Sequence, residues 1–123
     1  MDKFTRAYIQ CALWASTDES TPEGGEPMDQ NYSIDDITPA SLAIMQRDCD
    51  DFQLANHALL HKAYARGYNQ ESAGYDFWLT RNGHGAGYWD RGLGKLGDDL
   101  SAAAKQKGSC NLCVNDNNRI VIF

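Results

Sequence analysis

Asp76-Phe77-Trp78-Leu79-Thr80-Arg81-Asn82-Gly83-His84-Gly85-Ala86-Gly87-Tyr88-Trp89-Asp90-Arg91 is the stretch on which the reading of this chain turns. Sixteen residues carry two tryptophans, two aspartates, two arginines, a histidine and three alternating glycines. Glycines leave backbone uncovered and charges must be solvated or paired, so this mixture is costly for folding alone. Tyr75 to Leu79 has aromatic, strand-forming character. Asn82-Gly83 offers the left-handed conformations of a tight reversal, and Tyr88-Trp89 begins a return strand. The segment is therefore expected to be a β-hairpin.

Upstream, Phe4, Tyr8, Cys11 and Ala15 recur at helical spacing, widened by Ile9, Leu13 and Trp14, and predict a helix over 2–15. Residues 16–30 hold an acidic, Pro/Gly-rich segment without periodicity, expected to be an exposed loop. Asn31 to Asp36 reads as a short turn. Thr38 then suits an N-cap and Pro39 the first helical position. Leu42, Met45, Cys49, Phe52, Leu59, Leu60 and Ala63 trace one stripe toward a stop at Gly67. That pattern predicts one helix of about 28 residues, close to 40 Å long.

Downstream, Leu93, Leu96, Leu100 and Ala104 predict a helix over 93–107 that ends at Gly108, with Lys105 and Lys107 near its C-terminus. Residues 111–114 and 119–123, joined by the polar turn Asn115 to Asn118, predict a second hairpin. The expected fold is one α+β domain over 1–123 in the order ααββαββ. Three helices would pack on a small antiparallel sheet built from the two hairpins. No apolar run approaches the ~20 residues of a bilayer span, and Met1-Asp2-Lys3 leads into an amphipathic pattern unlike a signal peptide. A mature cytosolic protein is expected.

The net charge of −6 is unevenly spread. Residues 1–51 contain eleven acids against Lys3, Arg6 and Arg47, whereas 52–123 contain six acids against eight bases. The acidic half argues against direct DNA binding through that face and leaves open a basic partner surface. A DNA mimic of this length would normally be far more acidic. Cys11 and Cys49 fall on apolar helix faces and read as small buried hydrophobes. Cys110 and Cys113 form a lone C-x-x-C without a second ligand pair, and reduced thiols are expected. His57 and His61, four apart, lack a third ligand and read as a solvated or core-edge pair.

Chemistry is sought in the hairpin. Gly83, Gly85 and Gly87 in extended geometry would all point to one side, leaving a bare ribbon for a ligand or another backbone. The spacing fits neither a Walker A loop nor a dinucleotide fingerprint. Arg81 and Arg91 either tie the hairpin to Asp76 and Asp90 or grip an acidic or phosphate-bearing partner. One member of Phe77/Trp78 and of Tyr88/Trp89 must face outward if side chains alternate, giving an exposed aromatic cluster beside arginine. His84 at the tip is a polar turn residue, or a general base fixed by Asp76 or Asp90. The expected binding residues are Asp76, Trp78, Arg81, Asn82, His84, Tyr88, Trp89, Asp90 and Arg91, with no catalytic residue, no metal ligand and no cofactor.

The same motif, with Ala12-Leu13-Trp14, Gly25-Glu26-Pro27 and Asn31-Tyr32-Ser33-Ile34-Asp35-Asp36-Ile37, resembles a family of small, mostly uncharacterised proteins encoded by bacteriophages, prophages and related mobile elements. The resemblance covers most of the chain and supplies no catalytic residues; the Cys110/Cys113 pair is peculiar to this sequence. It implies a viral accessory product acting in a bacterial host's cytoplasm. The expectation is a non-enzymatic interaction protein that binds a host protein or protein–nucleic-acid complex to blunt a defence such as CRISPR or restriction. The alternatives are a nucleotide or small-molecule binder using the glycine-bare hairpin, and a small hydrolase using His84 with Asp76 or Asp90.

Overall fold

A computed structural model describes residues 1–123, an α+β arrangement of five α-helices and two separate two-stranded antiparallel sheets. Helix α1 spans Lys3–Ala15, and the Asp2 carboxylate caps it by accepting from Thr5 N at 2.8 Å. Strands β1 (Thr17–Asp18) and β2 (Glu26–Pro27) pair across the acidic segment, and two 3-10 turns follow. The segment is therefore not wholly loop. Its outer part, Glu19 to Glu26, is largely exposed, while Met28 anchors its end in the core.

Helix α2 (Pro39–Ala55) begins as expected, with the Thr38 hydroxyl accepting from Ser41 N and Pro39 in the first turn. The single long helix is not formed. Asn56 leaves helical geometry at φ −116°, ψ 23°, and α3 runs separately over His57–Ala65. The Asn56 side-chain amide donates to Phe52 O at 2.9 Å and takes up a carbonyl at the helix end. This local bond competes with continuation, as asparagine side chains do. The break lets Ala63 on α3 join Leu93 and Leu96 in a small second cluster.

The larger correction concerns residues 70–91. Gln70–Asn82 is a helix, α4, and no hairpin forms there. Asn69 caps its start by accepting from Ser72 N. Gly83 ends it in the left-handed conformation, φ 66°, ψ 42°. Gly83 N donates to Thr80 O and His84 N to Leu79 O, the paired bonds of a Schellman cap. Asn-Gly marks a left-handed residue in a hairpin and at a helix end alike, so the dipeptide does not distinguish them. Nor does periodicity, because α4 is buried from Ala73 through Arg81 except at Tyr75, and an enclosed helix shows no stripe. The expected order ααββαββ therefore fails, although the α+β class holds.

Helix α1 lies directly against α4. A Cβ at Gly74 would sit 1.9 Å from Phe4 O, so this close approach requires glycine. Phe77 stacks on Phe52 of α2 at 4.2 Å between centroids and on Tyr8 of α1 at 5.1 Å, while Trp78 meets Tyr8 edge-on. Helix α5 (Lys95–Gln106) covers another side and buries Leu96, Leu100 and Ala104. Strands β3 (Leu112–Val114) and β4 (Ile120–Ile122) form the expected C-terminal hairpin in the register Leu112↔Ile122, with Asn118 at φ 58° in its turn. No helix is long and apolar enough to cross a membrane.

Gly74→Ala should cost about 1–3 kcal/mol through overpacking, since the obstructing atom is backbone and the two helices must separate. Urea unfolding monitored by circular dichroism would measure it.

Candidate functional site

The residues expected to form an outward-facing binding tip are mostly structural. Trp78 and Tyr88 are sealed in the core, and Tyr88 donates its hydroxyl hydrogen to Ala73 O at 2.6 Å. Strand alternation does not apply: Phe77 and Trp78 lie on an enclosed helix and are both buried, whereas of Tyr88 and Trp89, in the 3-10 turn that follows, only Trp89 reaches the surface. The Asn82 side chain donates to Trp78 O and accepts from Cys110 N, joining α4 to the last hairpin. The three glycines share no face. Gly83 ends the helix, Gly85 turns the following loop, and Gly87 lies against the Thr80 hydroxyl and the Trp89 ring.

Both arginines are paired: Arg91 with Asp76, one of the pairings the sequence allows, and Arg81 with an aspartate from elsewhere in the chain. Arg81 is buried and bonds Asp48 of α2 at 2.9 Å, outside the motif. It also donates to the Tyr8 hydroxyl and to the carbonyls of Lys107 and Gly108, tying the end of α5 to the core. Arg91 takes Asp76 in a bidentate grip, Nε to Oδ2 at 2.9 Å and Nη2 to Oδ1 at 2.6 Å. Tyr68 donates to the same carboxylate. Burial, followed by the adjacent Asp76 charge, pushes the Tyr68 hydroxyl well above the usual tyrosine range, so it remains a donor. The bonds to Asp76 in turn raise Arg91 above an ordinary arginine. Asp90 is exposed and unpaired, and Trp89 is partly exposed beneath Lys105, whose ammonium lies 5.4 Å from its ring centre. His84 forms no hydrogen bond with Asp76 or Asp90. Its backbone helps cap α4, and its imidazole makes no hydrogen bond within the chain.

What the fold exposes instead is an aromatic hollow between the end of α1 and the face of α4. Trp14, 56% exposed, lies over Tyr75 with ring centres 6.0 Å apart. Leu79, Ala86, His84 and Arg91 complete a depression of about 480 Å³. Tyr75 and Arg91 also wall a polar cleft of about 630 Å³ on one side. Ala15 and His84 also wall a third depression of about 470 Å³, which reaches the acidic segment at Glu19 and Ser20. The three form a continuous band. Of the residues expected from sequence, Arg91 and His84 share the hollow, Asp76 lines the polar cleft with Arg91, and an edge of the otherwise buried Trp78 lines the third depression with His84. Trp14 and Tyr75 were missed: Trp14 reads as one edge of an apolar stripe, and only the α1–α4 packing shows that this edge is uncovered.

The cysteines are free. Burial pushes the Cys11 thiol up to about 12 and raises Cys49 further. Asn111 and Phe123 exchange both backbone bonds, so the chain entering β3 is extended. An extended run separates Cα atoms three residues apart by about 10 Å, beyond the ~7 Å that a disulfide tolerates. Cys110 and Cys113 also face opposite sides, with Cys110 against the Tyr8 hydroxyl at 3.9 Å and Cys113 on the third depression. His57 and His61 lie with ring centres 4.0 Å apart on exposed α3, and no group of three potential metal ligands forms anywhere in the chain.

No protein-family model matches this chain, and no curated protein or solved structure is significantly similar to it.

Asp76→Asn should cost about 2 kcal/mol in urea unfolding. That is less than the ~3–5 kcal/mol of a fully buried broken pair, because Arg91 is about one-third exposed and rehydrates. In native thiol titration Cys113 should react first, and Cys11 and Cys49 only after unfolding.

Proposed function

We propose that the protein is a non-enzymatic interaction protein that binds a host macromolecule, acting as a phage-encoded anti-defence inhibitor of the anti-CRISPR or anti-restriction type. One observation carries the binding reading: a tryptophan more than half exposed, held against Tyr75 over an apolar hollow. Leaving an indole in water forfeits the burial it would gain in a core, and exposed aromatics beside arginine are the usual anchors of protein interfaces. The motif resemblance supports the viral context, and the small acidic chain suits a protein that works by occupying a surface.

The partner we infer is a protein, alone or within a nucleoprotein complex, that offers an apolar side chain flanked by Lys or Arg. The apolar group fills the hollow. The basic flank meets the acidic segment, where Glu19 borders the adjoining depression and Asp18, Glu23 and Glu26 lie in the same stretch. Such complementarity speeds encounter and fixes orientation more than it adds affinity. A nucleotide-binding reading through a bare glycine ribbon has no support, because Gly83 caps a helix and Gly85 and Gly87 lie in the loop after it without sharing a face.

Trp14→Ala should leave the fold intact, since the ring is largely exposed, yet weaken the captured partner by about 30-fold or more, the scale of an interface hot spot. Trp89→Ala, away from the hollow, should have little effect. Expressed in cells that restrict an infecting phage, the wild type should restore plating and Trp14→Ala should not. Binding and plating that are indifferent to Trp14 would rule this reading out.

A further inference from the structure

The polar cleft beside the hollow has a chemistry that docking of an apolar anchor does not use. It is bordered by α1, the turn between α3 and α4, the first turns of α4 and the loop Arg91–Leu93, opens to solvent, and has a volume of about 630 Å³, within the size range of small-molecule sites. Two guanidiniums line it. Arg91 commits Nε and Nη2 to Asp76, leaving Nη1 unengaged. Arg66 uses only Nη1, donating to Leu93 O at 3.0 Å, and has no carboxylate partner. Arg66 is thus tethered to the short loop that carries Arg91, Arg91 is tethered to α4, and each keeps N–H groups without an acceptor.

Tethering matters because a surface arginine ordinarily loses side-chain entropy when it grips a ligand. Here the carboxylate of Asp76 and a backbone carbonyl hold the two forks before any ligand arrives. The Asp76 charge is already balanced by Arg91, and the Tyr68 hydroxyl donates a further hydrogen bond to it. Glu71 at the rim is the one opposing carboxylate, and it is drawn toward Lys3 at 3.8 Å. Gln10, Ser72 and the edge of Tyr75 supply further polar groups around the space.

We propose that this cleft binds a small oxyanion, the phosphate or carboxylate of a free molecule, through the open N–H edges of Arg66 and Arg91. Planar guanidinium forks match both groups, with charge-assisted bonds stronger than neutral ones. The site shares Tyr75 and Arg91 with the docking hollow but stands on different atoms, so either reading survives failure of the other.

The test is an NMR titration of the whole chain with sodium phosphate and, separately, sodium succinate, against sodium chloride at matched ionic strength. Saturable shifts of the Gly67 and Gly92 amides and the Arg66 and Arg91 Nε–H signals, absent with chloride, are expected for at least one probe. The tighter probe tells phosphate from carboxylate. Shifts no larger than those from chloride, or shifts centred elsewhere, overturn the proposal. Arg66→Gln removes one fork while leaving the Asp76–Arg91 pair, and should raise the dissociation constant by about tenfold. Glu71→Gln removes the opposing charge and should tighten binding. Unchanged affinity in both variants would equally overturn it.

Discussion

Helix α4 is enclosed by α1, α2 and α5 while carrying an aspartate and an arginine into the interior, and both charges must be neutralised where they stand. An uncompensated charge at such positions costs several kcal/mol. Asp76 and Arg81 lie on the same helix but do not pair with each other. Asp76 recruits Arg91 from the loop that follows, and Arg81 recruits Asp48 from α2. The first bond folds the loop 83–94 back over α4. The second, with the carbonyls at the end of α5, locks the C-terminal half onto the N-terminal half. The aromatic stack of Phe52, Phe77 and Tyr8 fills the space between these two electrostatic clasps.

This division of labour decides which groups remain for recognition. Most of the charged and aromatic residues in the central motif are consumed in holding α4. Of those left over, Trp89 and Asp90 lie exposed away from the hollow, while His84 and the free edge of Arg91 lie along the margin of α4, joined there by Tyr75 and by Trp14 from α1. The resulting band has an apolar middle, guanidiniums on one side and the acidic segment on the other. A surface with that polarity orients what it meets, whereas a uniform patch would not.

Much of the fold was legible where a local rule has a single outcome. The first helix, the Thr38 cap with Pro39 in the first turn, the stripe of α5 and the C-terminal hairpin all rest on patterns spanning a few residues. The central motif was misread because its signals are shared. Asn82-Gly83 serves a helix cap as well as a hairpin, aromatic density serves an enclosed helix as well as a strand, and Asn56 interrupts a stripe whose periodicity carries across the break. For the site, the sequence picked out His84 and Arg91 but also counted Trp78 and Tyr88 among the binding residues, and both are buried.

By itself the sequence determined the class of fold, the two buried thiols, the uneven charge and the presence of more aromatic and ionic groups in one segment than a surface turn needs. Only the tertiary structure decided which of those groups are spoken for. Burial depends on what packs against a residue from distant parts of the chain. Asp48 is 33 positions from Arg81, and Tyr75 meets Trp14 from 61 positions away. No local pattern encodes such pairings, because the partners become neighbours only when α1 closes on α4.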